Sequence, residues 1–236
     1  MSDLRTDPAS RRTLNQRFRP ANKRFKGSAL LLLVAAAMLL AGCMVKVPMA
    51  PHVRDLELKQ SLPLEAALLV PSNVRGYVFR GNPESYTGSA RPHEFPLGEA
   101  LEKASLSAFK QVFKQVDIVR SRAEADNYEV TIEPQIQEFH FEYDALSYAG
   151  FAVAVISRIT IRVTLATGKV VVFEKTVASP PQKRGPWFID TEYEFQTGRS
   201  ASDAMVFSLE AIAKEISEDP RVSASLKDSQ LRSAAR

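Results

Sequence analysis

Apolar positions along this chain recur with two periods, and one run has no period at all. From Pro96 to Val116 the spacing is helical. Leu97, Leu101, Ala104, Ala108 and Val112 fall at steps of three and four, flanked by Ala100, Phe109, Phe113 and Val116, with Glu99, Lys103, Lys110 and Lys114 opposite. Proline at the first position suits a helix start. A second stripe, Met205, Leu209, Ile212 and Ile216, bordered by Val206 and Ala213, predicts a helix that Ser200 caps with Asp203 three residues on, and that Pro220 closes. Period two governs the region between. Tyr128 to Tyr143 alternates, with Pro134 demanding a bulge or an edge position. Phe151 to Leu165 places Ile159, Ile161, Val163 and Leu165 on one side and Thr160, Arg162 and Thr164 on the other. Val170 to Val177 returns after Thr167-Gly168 as a hairpin, with Glu174 or Lys175 opposite Ile161 according to whether the loop has two or three residues.

Shorter segments complete the order. Glu65–Val70 and Val74–Arg80 are predicted strands around a Ser72-Asn73 turn, Asp117–Arg120 is a further short one, and residues 81–95 and 122–127 are loops. Two amphipathic helices and one mainly antiparallel sheet predict the α+β class, a two-layer sandwich with both helices on one face and the Thr and Arg face open. The domain is expected over residues 64–220, with 221–236 a polar tail. Residues 43–63, with three prolines and scattered charge, read as a tether.

The unperiodic run is Ala29–Ala41, thirteen residues without a polar group, preceded by Arg11, Arg12, Arg17, Arg19, Lys23, Arg24 and Lys26. This is the charge and length pattern of a secretory signal. As a helix it would reach only about 20 Å, against roughly 30 Å of hydrocarbon. At its end, Leu40-Ala41-Gly42-Cys43 resembles the lipobox of bacterial lipoproteins. The resemblance implies signal-peptidase recognition through Leu40, Ala41 and Gly42, removal of residues 1–42, and a diacylglyceryl thioether on Cys43, usually with a third acyl chain such as palmitate on the new amino terminus. Two or three chains, at about 0.8 kcal/mol per buried CH₂, make a stable anchor. Ser10-Arg11-Arg12-Thr13-Leu14 partly resembles a twin-arginine signal, but Asn15 and Gln16 depart from it, so Sec export is the expectation. Met44 stands where an inner-membrane lipoprotein usually carries aspartate, which favours the outer membrane, periplasmic side.

The leader also changes the charge. The whole chain is +4, yet eight of its 31 Lys and Arg and two of its 27 Asp and Glu precede Cys43, leaving 23 against 25. The mature chain is weakly acidic, and no nucleic-acid partner is expected. The single cysteine, once acylated, leaves no thiol for a disulfide.

Chemistry is sparse. His52, His93 and His140 have no second histidine or cysteine at ligand spacing, so no metal is expected. Glu129, Glu133, Glu138 and Glu142 read as a solvated strand face, and no nucleophile elbow, phosphate loop or dinucleotide fingerprint occurs. The expectation is a non-enzymatic protein with no cofactor beyond its lipid. One segment, residues 179–197, carries the only tryptophan. Lys183, Arg184, Trp187 and Phe188 form a candidate contact loop there, since Trp and Arg are enriched at binding hot spots; the competing reading folds Trp187 and Phe188 back as a lid on the core.

Ser202 to Met205 and Ile216 to Val222 resemble the end of the YajG-like family of bacterial lipoproteins, whose members also place a helix before the sheet and finish on such a helix and a polar tail. The resemblance carries over no binding residues. The expected role is a structural or adaptor component of an envelope assembly with a protein partner. An alternative is an accessory lipoprotein of lipid or lipopolysaccharide transport, because the order helix, antiparallel sheet, helix also resembles the lipopolysaccharide-assembly lipoprotein that plugs an outer-membrane barrel.

Overall fold

The computed structural model describes residues 44–89, 91–149, 152–187 and 193–226. Elements run β1 (Val45–Lys46), β2 (Leu62–Leu69), α1 (Ser72–Arg75), β3 (Phe79–Gly81), β4 (His93–Phe95), α2 (Leu97–Val112), β5 (Phe113–Val119), α3 (Arg122–Ala125), β6 (Val130–Asp144), β7 (Val153–Thr167), β8 (Val170–Ala178), β9 (Gln182–Trp187) and α4 (Tyr193–Glu218). Helices and mixed sheets make the protein α+β, as the two periods predict.

The main sheet has the order β5-β2-β6-β7-β8, with β9 also on β7. It is antiparallel from β6 to β9, as expected, but β2 pairs in parallel with both β5 and β6. That explains the run Glu-Ala-Ala-Leu-Leu-Val. A strand between two parallel neighbours is buried on both faces and needs no alternation. Leu62, Leu64, Ala66, Leu68 and Val70 enter the main core, while Ala67 and Leu69 join Val119, Ala125 and Tyr128 in a small cluster on the other face.

Long β6 tolerates Pro134 because β2 reaches only to the partner of Ile132, so beyond it β6 is an edge on that side and a missing N–H leaves no gap in the ladder. A register shift between Ile136 and Glu138 follows. The β7–β8 hairpin turns through Gly168 at φ +57, a left-handed conformation that favours glycine. Thr167 faces Val170, and a second shift between Leu165 and Ala166 places Val177 opposite Ile161, so both registers expected from loop length are wrong. Loop length alone cannot count an extra residue inside the strand.

Several boundaries differ from the sequence expectation. Val74–Arg80 is not one strand: the N–H groups of Val74 and Arg75 turn back to the Pro71 carbonyl, forming α1 before β3. Helix α2 stops at Val112, four residues early, because Phe113 to Val119 pair with β2. Residues 122–125 are helical, capped by the Ser121 hydroxyl, which accepts from the Glu124 N–H. Helix α4 begins at Tyr193, so Ser200 is not its cap; the Ser200 hydroxyl donates instead to the Gln182 carbonyl, at 2.6 Å, and ties α4 to β9.

The largest correction concerns residues 44–63. They are not a free tether. Val45, Val47 and Val53 are buried in the main core, with Met49, Leu56 and Leu58 packed against it. Strand β1 pairs in parallel with β4, which pairs with β3, making a second, three-stranded sheet. Polar contacts hold the rest: Leu56 N–H donates to Gln111 Oε1 at 2.6 Å, Gln111 Nε2 to the Arg54 carbonyl at 3.0 Å, and Arg54 N–H to Glu210 Oε1 at 3.1 Å. Helix α4 admits the segment because residue 198 is glycine; a Cβ there would lie 1.8 Å from the Pro48 carbonyl oxygen. At the other end, residues 220–226 are helical and bury Val222 and Leu226.

Candidate functional site

The features with chemical content gather at one end of the domain, where β6 finishes and the chain enters through Met44. Alternation on β6 sends Phe139, Phe141 and Tyr143 to the same side. Phe139 and Phe141 meet Phe79 of β3 and Phe95 of β4 in edge-on contacts, with Phe95 centred 4.8 Å from both, and Tyr143 stands edge-on to Phe141. Above them lies His93, which is 2% exposed. The Tyr143 hydroxyl stands 3.0 Å from His93 Nε2 and 3.0 Å from Thr197 Oγ1, and the Thr197 hydroxyl donates to the Tyr193 carbonyl at 2.7 Å.

This buried row fixes three elements to one another. Val45 N–H donates to the Pro92 carbonyl and Val47 N–H to that of Glu94, both at 2.9 Å, so β1 is laid against the strand that carries His93. Burial lowers the His93 pKa below its ordinary value, and burial pushes Tyr143 up to about 12. Both groups hold their neutral forms at neutral pH. Row and rings are packed in the core, and neither groove below is lined by them.

Strand β9 borders the same end. It runs antiparallel to the first residues of β7, Trp187 opposite Val153 and Gln182 opposite Ser157, in line with β8 along one edge of β7. Lys183, Arg184 and Trp187 therefore lie on an edge strand rather than in a loop; Phe188 lies outside the described residues. Lys183 Nζ meets Asp144 Oδ2 at 2.9 Å, and Arg184 pairs with Asp203 of α4. The lysine bond, joined by Ser147, holds the Asp144 carboxyl at about 2. Trp187 is half-buried and packs against the main core. Leu40, Ala41, Gly42 and Cys43 lie outside the described residues, and Met44 brings the chain from them to this end.

No family model matches the chain, and no curated protein does. Solved structures do resemble it. A Xanthomonas campestris protein described by the DUF330 family model is 13% identical, with 80% of this chain and 99% of that chain covered at a TM-score of 0.44. A PelC dodecamer from Paraburkholderia phytofirmans is 11% identical over 70% and 95%, at 0.34. A minor lipoprotein from Acinetobacter baumannii is 12% identical over 70% and 96%, at 0.32. At these values the likeness is loose. Among the described residues no helix is long and apolar enough to cross a membrane.

Away from this end, a groove of about 490 Å³ opens beside β5, lined by Glu65, Gln115, Asp117, Glu124, Asn127 and Tyr128 among others. Two of its carboxylates are engaged: Asp117 accepts from Gln115 Nε2 at 2.6 Å and from the Tyr128 hydroxyl at 3.3 Å, and Glu124 accepts from the Arg120 N–H at 3.0 Å. A smaller groove of about 200 Å³ is lined by Asn73, Val74, Tyr77, Leu101, Gln135 and Ile136. Carboxylates on β6 and at the residue before it are likewise partnered. Glu133 pairs with Arg122 and Glu142 with Arg158, and Glu129 accepts the Glu65 N–H at 3.0 Å. Among the described residues no cluster of three metal-binding side chains occurs.

Sequence reasoning missed the His93–Tyr143–Thr197 row, which joins residues up to 104 positions apart through contacts that no local pattern encodes. The docked entry segment had a signal. Val45-Lys46-Val47 alternates in the register that β4 uses.

Proposed function

We propose that this protein is a non-enzymatic, lipid-anchored outer-membrane lipoprotein facing the periplasm, a structural or adaptor component of an envelope assembly. The observation that carries the reading is the Leu40-Ala41-Gly42-Cys43 motif, with folded structure beginning two residues after its cysteine. A lipid on Cys43 would leave the domain seated directly on its anchor. Helices α2 and α4 pack with the core side of the main sheet as one two-layer body. The opposite residues of β7, Thr160, Arg162 and Thr164, are half-buried and offer a polar face to a protein partner.

The alternative, a lipid or lipopolysaccharide carrier, calls for an apolar groove or a basic patch around Lys183 and Arg184. The larger groove is lined by carboxylates and amides, the smaller, at about 200 Å³, falls below the roughly 300 Å³ at which ligand pockets begin, and Lys183 and Arg184 pair with Asp144 and Asp203. The deciding experiment is the intact mass of protein extracted from membranes, beside Cys43→Ala, with both fractionated. We expect the native form to begin at Cys43 with added acyl mass and to sediment with outer membrane, and the variant to do neither. A retained leader without lipid would overturn the anchor. An acylated protein that captures no partner in cross-linking at native abundance would overturn the adaptor role.

A further inference from the structure

We infer that the end of the domain around Tyr143 and Asp144 rests in the headgroup layer of the bilayer, inserting the side chains of Tyr86, Leu146, Phe195 and Met44. The inference rests on the acylation of Cys43 proposed above. These four residues are 96%, 94%, 59% and 41% exposed. They come from four separate segments that converge on one end of β6. The loop bearing Tyr86 is held there by Ser85, whose hydroxyl accepts the Tyr143 N–H at 2.8 Å, and by Gly88, where a Cβ would stand 2.8 Å from the Tyr143 ring. Leu146 lies two residues past Asp144, the last residue of β6. Phe195 lies in the first turn of α4, two residues before Thr197, whose hydroxyl meets that of Tyr143. Met44 precedes Val45, which is bonded to Pro92 beside His93.

The chemistry fits a lipid surface. Exposed apolar tips on separate segments, rather than one flat face, suit shallow insertion, and tyrosine is at home at headgroup level. Lys46, two residues after Met44, and Arg91, next to Pro92, are both exposed and can meet anionic phosphates. Above all, Met44 is the residue after the one that would carry the acyl chains, and the docked entry segment permits no swing away. The far end supplies a comparison. Val170 and Val171, at the tip of the β7–β8 hairpin, are also exposed, at 64% and 57%, and have no link to the anchor.

The test uses acylated protein, whose Cys43 sulfur is blocked, carrying Leu146→Cys or Val170→Cys labelled with an environment-sensitive fluorophore. Each is reconstituted in phosphatidylethanolamine–phosphatidylglycerol vesicles with or without lipids bearing a quencher on the acyl chain. Insertion by roughly 5–10 Å should cost the label at 146 about half its emission and leave that at 170 nearly unchanged. Equal responses at the two positions, or a label at 146 fully open to aqueous iodide, would overturn the orientation. So would a label at 146 shielded from iodide but indifferent to the lipid quencher, the result expected if a second copy of the chain covers this end. Intact mass of each preparation separates the two levels: without acyl mass the anchor fails and the orientation with it, whereas acyl mass with an unquenched label at 146 sinks the orientation alone.

Discussion

Replacing Gly198 with alanine sets two rules against each other. Position 198 lies inside α4, and alanine in a helix interior is worth about 1 kcal/mol over glycine. By propensity alone Gly198→Ala should stabilise. The structure reverses the sign, because the new methyl carbon would stand 1.8 Å from the Pro48 carbonyl oxygen and 3.4 Å from Val47 Cγ1. Backbone, not a flexible side-chain end, is what it meets. Relief requires the entry segment to lift by more than 1 Å, loosening Val45 and Val47, which are 6% and 2% exposed. Overpacking against so firm a neighbour costs about 3 kcal/mol, the upper part of the usual range. After the helical gain the net loss is about 2 kcal/mol, or roughly 4–8 °C in Tm for a domain of this size. Urea or thermal unfolding measures it, and limited proteolysis within residues 46–58 should quicken in the variant. A Gly198→Ala protein as stable as the parent, with that segment equally resistant, would refute the close approach.

Three further outcomes follow from buried polar groups. Tyr143→Phe removes the hydroxyl shared by His93 and Thr197 and should cost about 1–3 kcal/mol in urea unfolding; absorbance titration should show a tyrosine of the parent still protonated at pH 11 that is missing from the variant, consistent with the shift of Tyr143 to about 12. Because burial lowers the His93 pKa, the unfolded chain binds its proton first as pH falls through the ordinary histidine range. Stability from this group is complete above that range and is lost below it, so the urea midpoint should drop between pH 7.5 and 5.5, and His93→Phe should flatten the drop. Glu102→Ala leaves Arg120 and Arg75 without their shared carboxylate on α2 and should cost about 2 kcal/mol by the same unfolding assay, with Glu102→Gln recovering part of it.

What could be read from the chain, and what could not, divides by the length over which a pattern repeats. Helix α2 and strand β7 each carry four or more periods, and their inward residues are those the spacing names, Leu101, Ala104 and Ala108 on one and Ile159, Ile161 and Val163 on the other. Strands β1, β3 and β4 have two or three residues each and exist because they pair with one another; the alternation Val45-Lys46-Val47 spans a single period, too little to stand out from its surroundings. The prolines at 48, 51 and 63 argued for a tether, yet proline only denies a hydrogen-bond donor, and apolar neighbours at 45, 47 and 53 were free to pack. Helix α4 starts at Tyr193, ahead of the capping pattern at Ser200 and Asp203, and Gly198 and Ser200 lie inside it. Both are there to receive another segment, Pro48 in one case and Gln182 in the other. At the candidate site, Lys183 and Arg184 stood out as basic residues, whereas Asp144 and Asp203, which pair with them, come from distant parts of the chain.

The docked entry segment has a consequence for reach. A flexible spacer of twenty residues would let a tethered body wander about 25 Å from its attachment point. Here that slack is folded into the body itself. With Cys43 acylated as proposed, everything the protein captures must be met within its own height above the lipid, on the order of 40 Å for a compact chain of this length. On the proposed adaptor reading it stands in place, and a partner has to come down to it.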